Sequence, residues 1–274
     1  MATVLRPPSV SFDTLWQSAR RLVNYWDLLH TLTVHRVAVR YKQSALGPLW
    51  AVLQPLSLML IYTVIFSNVA RVDTGGIPYP LFAYTALLPW TAFSTAVATA
   101  TNSLVSHFSL VTKVYFPREI LPLTYVIAAL FDLLAGGVVL AALMLYFGVV
   151  LSANVLYLVP IVAVLAIFAL SVSLILCAIQ VRYRDIGIAM PLVLQVWMFA
   201  SPVVYPLSAV PPAWRSFYIL NPMVGVVESF RRVLIEGASP DLAPLAVSAA
   251  LSLLLLPASF LYFKHVEATV ADVL

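Results

Sequence analysis

The stretch RYKQSALGPLWAVLQPL, residues 40–56, passes from charge to near-uniform apolarity across one Gly-Pro. Its first half carries Arg40 and Lys42; its second half opens an apolar run that continues to Ala70. A chain leaving water for hydrocarbon has this form. A spanning helix needs about 20 mostly apolar residues, basic residues gather at its cytoplasmic foot, and aromatic residues such as Trp50 settle at the interface.

Composition extends that reading to the whole chain. Of 274 residues, 62% are hydrophobic and 9% charged, whereas a soluble domain is nearer half apolar and a quarter charged. So much apolar surface has no place in a water-soluble fold of this size, and the sequence predicts an all-α integral membrane protein. The lone Cys177 excludes an internal disulfide framework, and His30, His35, His107 and His265 lack metal-ligand spacing. Residues 1–48 hold six Lys/Arg and no early apolar core, so they do not read as a cleaved signal peptide.

Six runs are long enough to cross: 49–70, 81–101, 120–147, 153–179, 188–205 and 242–263. They are continuous rather than alternating, which excludes barrel strands. With the N-terminus inside, the inner segments carry Arg6, Arg20, Arg21, Arg36, Arg40, Lys42, Lys113, Arg118, Arg182, Arg184 and Lys264. The outer segments carry Arg71, Arg215, Arg231 and Arg232. Eleven against four predicts cytoplasmic termini. The division is then an N-terminal segment 1–48, a transmembrane domain 49–264 and a tail 265–274.

Three segments stand outside the crossings. In 12–42, Phe12, Leu15, Ala19, Leu22, Trp26 and Leu29 recur at helical spacing opposite Arg20, Asn24, Asp27 and Thr31. This predicts an amphipathic helix on the inner membrane surface, or one packed on its own protein. In the inner loop 101–122, Leu104, Phe108, Val111 and Tyr115 make a short apolar stripe ended by Pro117. It suits a groove on a partner, or it frays into the headgroups. In 202–237, Pro202, Pro206, Pro211 and Pro212 precede an Asn221-Pro222 helix start, an apolar face of Met223, Val226, Val227, Phe230, Val233 and Leu234, a Glu228/Arg232 pair and a Gly237 stop. Two short re-entrant or interfacial helices follow, serving as a pathway element or a clamp.

Enzyme constellations are absent, and no Gly-Lys dipeptide exists to build a phosphate-binding loop. Energy for uphill transport must come from another subunit or an ion gradient. Intramembrane charge is confined to Asp132, flanked by Ala128, Ala129, Ala135 and Gly136; it either bonds across a helix interface or takes part in gating. The deeper aromatics Tyr62, Phe66, Trp197 and Phe199 either pack or line a conduit on which sugars stack.

The stretches RYKQSALGPLWAVLQPL, LPWTAFSTAV, NSLVSHFSLVTKVYFPREILPL, VRYRDIGIAMPLVLQVWMFASPVVYP and LNPMVGVVESFRRVL, in that order over residues 36–236, resemble the membrane subunit of type-2 ABC exporters for O-antigen, capsular polysaccharide or teichoic acid. The resemblance implies a bacterial inner-membrane homodimer with two copies of a separate cytoplasmic ATPase. That ATPase would hold ATP and Mg, leaving this chain without a cofactor or catalytic residue. A lipid-linked glycan would pass through a central channel; membrane lipid is the other partner, and nucleic acid is not one. The resemblance also implies coupling contacts at Leu104, Phe108, Val111, Lys113, Tyr115 and Arg118, with a second contact at Arg182, Arg184 and Asp185. The N-terminal helix becomes an interface helix and 202–237 the gate. Channel or gate positions are then Tyr62, Phe66, Trp90, Asp132, Trp197, Phe199, Val227, Phe230, Arg231 and Arg232. Competing readings are a drug or haem exporter of the same fold, a gradient-driven transporter, disfavoured by the shortage of buried charge, and a membrane-embedded transferase, disfavoured by the lack of convergent acid and base groups.

Overall fold

A computed structural model describes residues 22–42 and 46–273. Among them there are helices and turns but no strands. A helix satisfies its own backbone hydrogen bonds, which hydrocarbon cannot do. The long elements are α1 (Trp26–Tyr41), α2 (Trp50–Tyr62), α3 (Tyr79–Thr101), α6 (Ile120–Tyr146), α7 (Leu158–Arg182), α8 (Asp185–Phe199), α10 (Pro222–Leu234) and α11 (Leu242–Val273). Between them lie the short α4 (Ser103–Ser106), α5 (Phe108–Lys113) and α9 (Pro212–Ile219).

Among the described residues, five helical stretches are long and apolar enough to cross a membrane: Trp50–Val69, Tyr79–Thr101, Ile120–Tyr146, Ala153–Arg182 and Leu242–Glu267. The fifth apolar run of the sequence folds instead as α8, 15 residues long. At 1.5 Å per residue α8 reaches about 22 Å, short of the ~30 Å hydrocarbon core. The chain then turns through the buried Ser201, Val203 and Val204. The run 188–205 is thus a short helix followed by a packed turn.

α3 is the central pillar, packed against α2, α6, α7, α8 and α10, while α11 lies along α7 and α10. The larger apolar cluster surrounds α3. A smaller one gathers Leu29, Leu104, Val111, Phe116, Ile120, Leu174, Cys177 and Phe263 at one end of the helices. α10 meets α11 closely: a Cβ at Gly225 would overlap the Ser248 hydroxyl and the Pro244 carbonyl, so the contact needs glycine.

α1 packs on α6. Its inward face is Leu29, Leu32 and Thr33, with Arg36 half-buried, and Leu22 and Tyr25 pack just ahead of it. Of the face read from the sequence, Phe12, Leu15 and Ala19 lie outside the described residues, Leu22 and Leu29 pack, and Trp26 is 62% exposed. Asn24, Asp27 and Thr31 are exposed as expected. The correction at Trp26 follows from what seats the helix: polar Thr33 and Arg36 share the packed face, and apolar spacing alone does not reveal them.

Candidate functional site

One side of the molecule, which the distribution of basic residues predicts to be cytoplasmic, is built from two loops, 101–119 between α3 and α6 and 182–185 between α7 and α8. The apolar stripe of the first loop does not stay on one face. The chain leaves helical geometry at His107 (φ −114°, ψ 29°), so the phase resets between α4 and α5. Leu104 and Val111 turn inward, 1% and 4% exposed, into the smaller apolar cluster. Phe108 and Tyr115 turn outward, 42% and 87% exposed, beside exposed Lys113 and Val114. Leu104 and Val111 therefore support the loop from below. Arg182, Arg184 and Asp185 are exposed, as is Tyr183, which the sequence reading passed over.

Arg118 is committed within the chain. Its Nη1 donates to the Glu267 carbonyl at 2.9 Å, and its Nε lies 3.9 Å from the Glu267 carboxylate. Lys264 joins the same group, bonding Glu119 at 2.6 Å and Glu267 at 2.8 Å. Glu119 is buried, and burial raises its carboxyl above the usual carboxylate range against the pull of Lys264. Four charges thus tie the foot of α6 to the inner end of α11.

His107 is a second junction, which a scattered-histidine reading could not find. Its ring bonds Arg36 on α1, accepts from or donates to Ser106 Oγ at 3.0 Å, and meets the Ser103 carbonyl at 2.8 Å through Nδ1. The Arg36 guanidinium lies over the Tyr125 ring, 4.0 Å from its centre. Burial depresses the His107 pKa, with the Arg36 charge acting the same way. Further along α1, Arg40 pairs with Asp132 on α6. Asp132 therefore bonds a cation across a helix interface.

On the other side, α10 begins as the sequence predicts: Asn221 caps it by accepting from the Met223 N–H at 3.1 Å. Met223, Val226, Val227, Phe230, Val233 and Leu234 are all buried, against α3, α7 and α11. Glu228 pairs with Arg231, three residues on, at 2.9 Å, rather than with Arg232. Arg231 is 4% exposed. Its guanidinium stacks 3.6 Å from the centre of the Phe82 ring and donates to the Val203 carbonyl at 2.7 Å. It holds α10 to α3 and to the buried turn, whereas Arg232 faces outward. A signal for Arg231 was present: it falls on the arc of Val227 and Leu234, the apolar face.

The deep aromatics mostly pack. Tyr62, 7% exposed, contacts Phe66 edge-on at 5.9 Å and Met198 at 3.7 Å. Trp90 is buried against Phe93, which stacks on Phe168 at 5.1 Å and meets the half-buried Trp197 edge-on at 5.2 Å. Phe199 is exposed, on the side of α8 that also shows Ile188, Leu192 and Val196.

Comparison with known proteins follows this geometry. Residues 27–235 match the family described as ABC-2 type transporter. Over 247 residues the chain is 35% identical to the O-antigen export system permease protein RfbA of Myxococcus xanthus, covering 89% of this chain and 94% of that relative. It is 29% identical over 213 residues to an O-antigen export system permease protein RfbA of Klebsiella pneumoniae, covering 77% and 82%. It is 26% identical over 217 residues to the polysialic acid transport protein KpsM of Escherichia coli, covering 76% and 81%.

Proposed function

Because this chain belongs to the ABC-2 type transporter family, we propose that it is the inner-membrane permease of a bacterial ABC exporter for a lipid-linked polysaccharide, of O-antigen type. The relatives named for O-antigen export and for polysialic acid transport support the substrate class. The energy source is a separate ATPase carrying ATP and Mg, because this chain has no Gly-Lys phosphate-binding loop. The observation that carries the partner is that Phe108 and Tyr115 on one loop, and Arg182, Tyr183, Arg184 and Asp185 on the other, are all exposed. Exposed aromatic and charged residues on two loops of one side suit a soluble subunit.

The assembly is a homodimer with two ATPase copies. The apolar residues left exposed on α2 (Leu60, Ile61) and on α8 (Ile188, Leu192, Val196) support a second copy facing them across the glycan path. The chain crosses six times with both termini inside, the fifth crossing being shared between α8 and the turn after it; the eleven-to-four distribution of basic residues supports this. Arg232, rather than Arg231, is the basic residue of α10 able to meet the polymer.

Affinity capture of the tagged chain from native membranes tests the reading. An ATPase should co-purify, and the chain alone should hydrolyse no ATP. ATP hydrolysis by the isolated chain overturns it. Single cysteines at Ser208 and Asp241 should label from outside, and one at Thr112 only after permeabilisation; outside labelling at Thr112 overturns the six-crossing topology.

A further inference from the structure

Between the two cytoplasmic loops lies a set of amides that no function yet uses. Gln180, near the end of α7, is 4% exposed. Its Nε2 donates to Asn102 Oδ1 at 2.9 Å and to the Arg184 carbonyl at 3.2 Å, and its Oε1 accepts from the Gly187 N–H at 2.6 Å. One side chain thus bonds the end of α3, the turn 182–185 and the first turn of α8. The Gly187 N–H belongs to a helix start, where no backbone acceptor is available. Three residues earlier on the same face of α7, Cys177 Sγ lies 3.1 Å from Ser103 Oγ, so the start of α4 is held to the same strip.

Gly187 makes this closure possible. A Cβ there would stand 2.6 Å from Asn102 Oδ1 and 2.7 Å from Gln180 Nε2, distances at which the amides must part. Opening would strand polar groups of a nearly buried amide, and unpaired buried groups cost far more than a paired one contributes. The contact is therefore closed or broken, with little between.

We infer that the Asn102–Gln180–Gly187 amides are a positioning lock that holds loops 101–119 and 182–185 in one register, so that the partner ATPase pushes on a single body. The inference rests on the reading of those loops as the ATPase docking surface and assigns that surface its rigidity. Without the lock, each loop still offers its contacts, but a displacement imposed at Phe108 no longer carries α8 with it. Gln180 and Gly187 touch neither ATP nor glycan; they act through the loops.

The test has two readouts. In the chain alone, spin labels at Thr112→Cys and Tyr183→Cys report the distance between the loops; the buried Cys177 is out of reach of the label. The distribution should be narrow, and broad in Gly187→Ala and Gln180→Leu. In the reconstituted complex, those variants should bind the ATPase normally yet consume at least about fivefold more ATP per glycan exported, the lower end for coupling between sites. Asn102→Asp keeps the oxygen that accepts from Gln180 and should keep both the narrow distribution and the ratio. Asn102→Ala, at an exposed position, carries the same test should the other two fail to insert. An unchanged distribution and an unchanged ratio overturn the lock. Lost ATPase binding with a narrow distribution also overturns it, since the amides would then belong to the contact itself. A wild-type chain that captures no ATPase overturns the docking reading instead.

Discussion

Of the apolar stretch of α3, 78% is buried inside the protomer; of Trp50–Val69, which is α2 and its continuation, 17%. The more buried helix is the less apolar of the two. In water that order would be reversed. In lipid, hydrocarbon gives an apolar side chain what a protein core gives it, so close packing and hydrogen bonding decide which helix lies inside. α3 repeats small Ala and hydroxylated Thr, whose side chains bond back to their own helix, as Thr85 does to the Leu81 carbonyl and Thr101 to the Val97 carbonyl. That compactness lets α2, α6, α7, α8 and α10 all reach it. α2 offers Leu60, Ile61, Val64 and Ile65 to its surroundings.

The largest effect that would break this contrast is expected at Phe93, fully buried on α3 between Phe168 and Trp197. Phe93→Ala should cost about 3–5 kcal/mol, as large core truncations do, read as a lower melting temperature in detergent. Ile61→Ala on α2, an exposed position, should leave the melting of the chain unchanged. Equal destabilisation by the two would erase the distinction.

Next come the two adjacent arginines of α10. Arg231→Met strips the Val203 carbonyl and Glu228 of their partner and should cost about 3 kcal/mol, the low end for breaking a buried pair because Glu228 is partly exposed. Arg232→Gln should change stability by no more than about 0.5 kcal/mol and, if Arg232 meets the polymer, slow export. Thermal melts of the two variants separate the roles.

A smaller effect, on association rather than folding, is expected at Phe108. Phe108→Asp leaves the fold intact because the ring is 42% exposed, yet should weaken ATPase binding by about 2 kcal/mol, as loss of an interface anchor does. Titration of ATPase onto immobilised permease measures it, and unchanged binding would make the loop a tether. The smallest concerns pH. His107 has a depressed pKa in the folded chain, so folding resists its protonation. Stability should hold above the ordinary histidine value of about 6.5 and fall as pH drops from there towards the lowered folded value. His107→Gln should flatten the difference in melting temperature between pH 7.5 and pH 5.5.

Five of the six apolar runs match spanning helices because hydropathy is a local property; the fifth, 188–205, does not, because run length says nothing of where the helix stops. The start of α10 was legible too, because a cap needs only Asn221 and its neighbours. The positions of charged groups were not. Arg118, Arg231 and Asp132 each have a partner or cradle that spacing does not reveal: Glu267, Phe82 with Val203, and Arg40. The loop stripe misled for a different reason. Four residues at helical spacing share a face only if the helix is unbroken, and His107 breaks it. The gate positions Val227 and Phe230 are buried within one protomer, so substitution there perturbs the subunit before it perturbs any passage.

The ion cluster at the foot of α6 bears on how the chain is made. Glu119 and Lys264 are 145 residues apart in sequence and 2.6 Å apart in space. At about 5–20 residues per second, the ribosome delivers Lys264 on the order of 7–30 s after Glu119. Through that interval the carboxylate lacks its cation and cannot take its buried place in charged form, so the first loop is finished only when the last helix arrives. A chain truncated before Lys264 keeps its earlier apolar runs but leaves Glu119 without its cation.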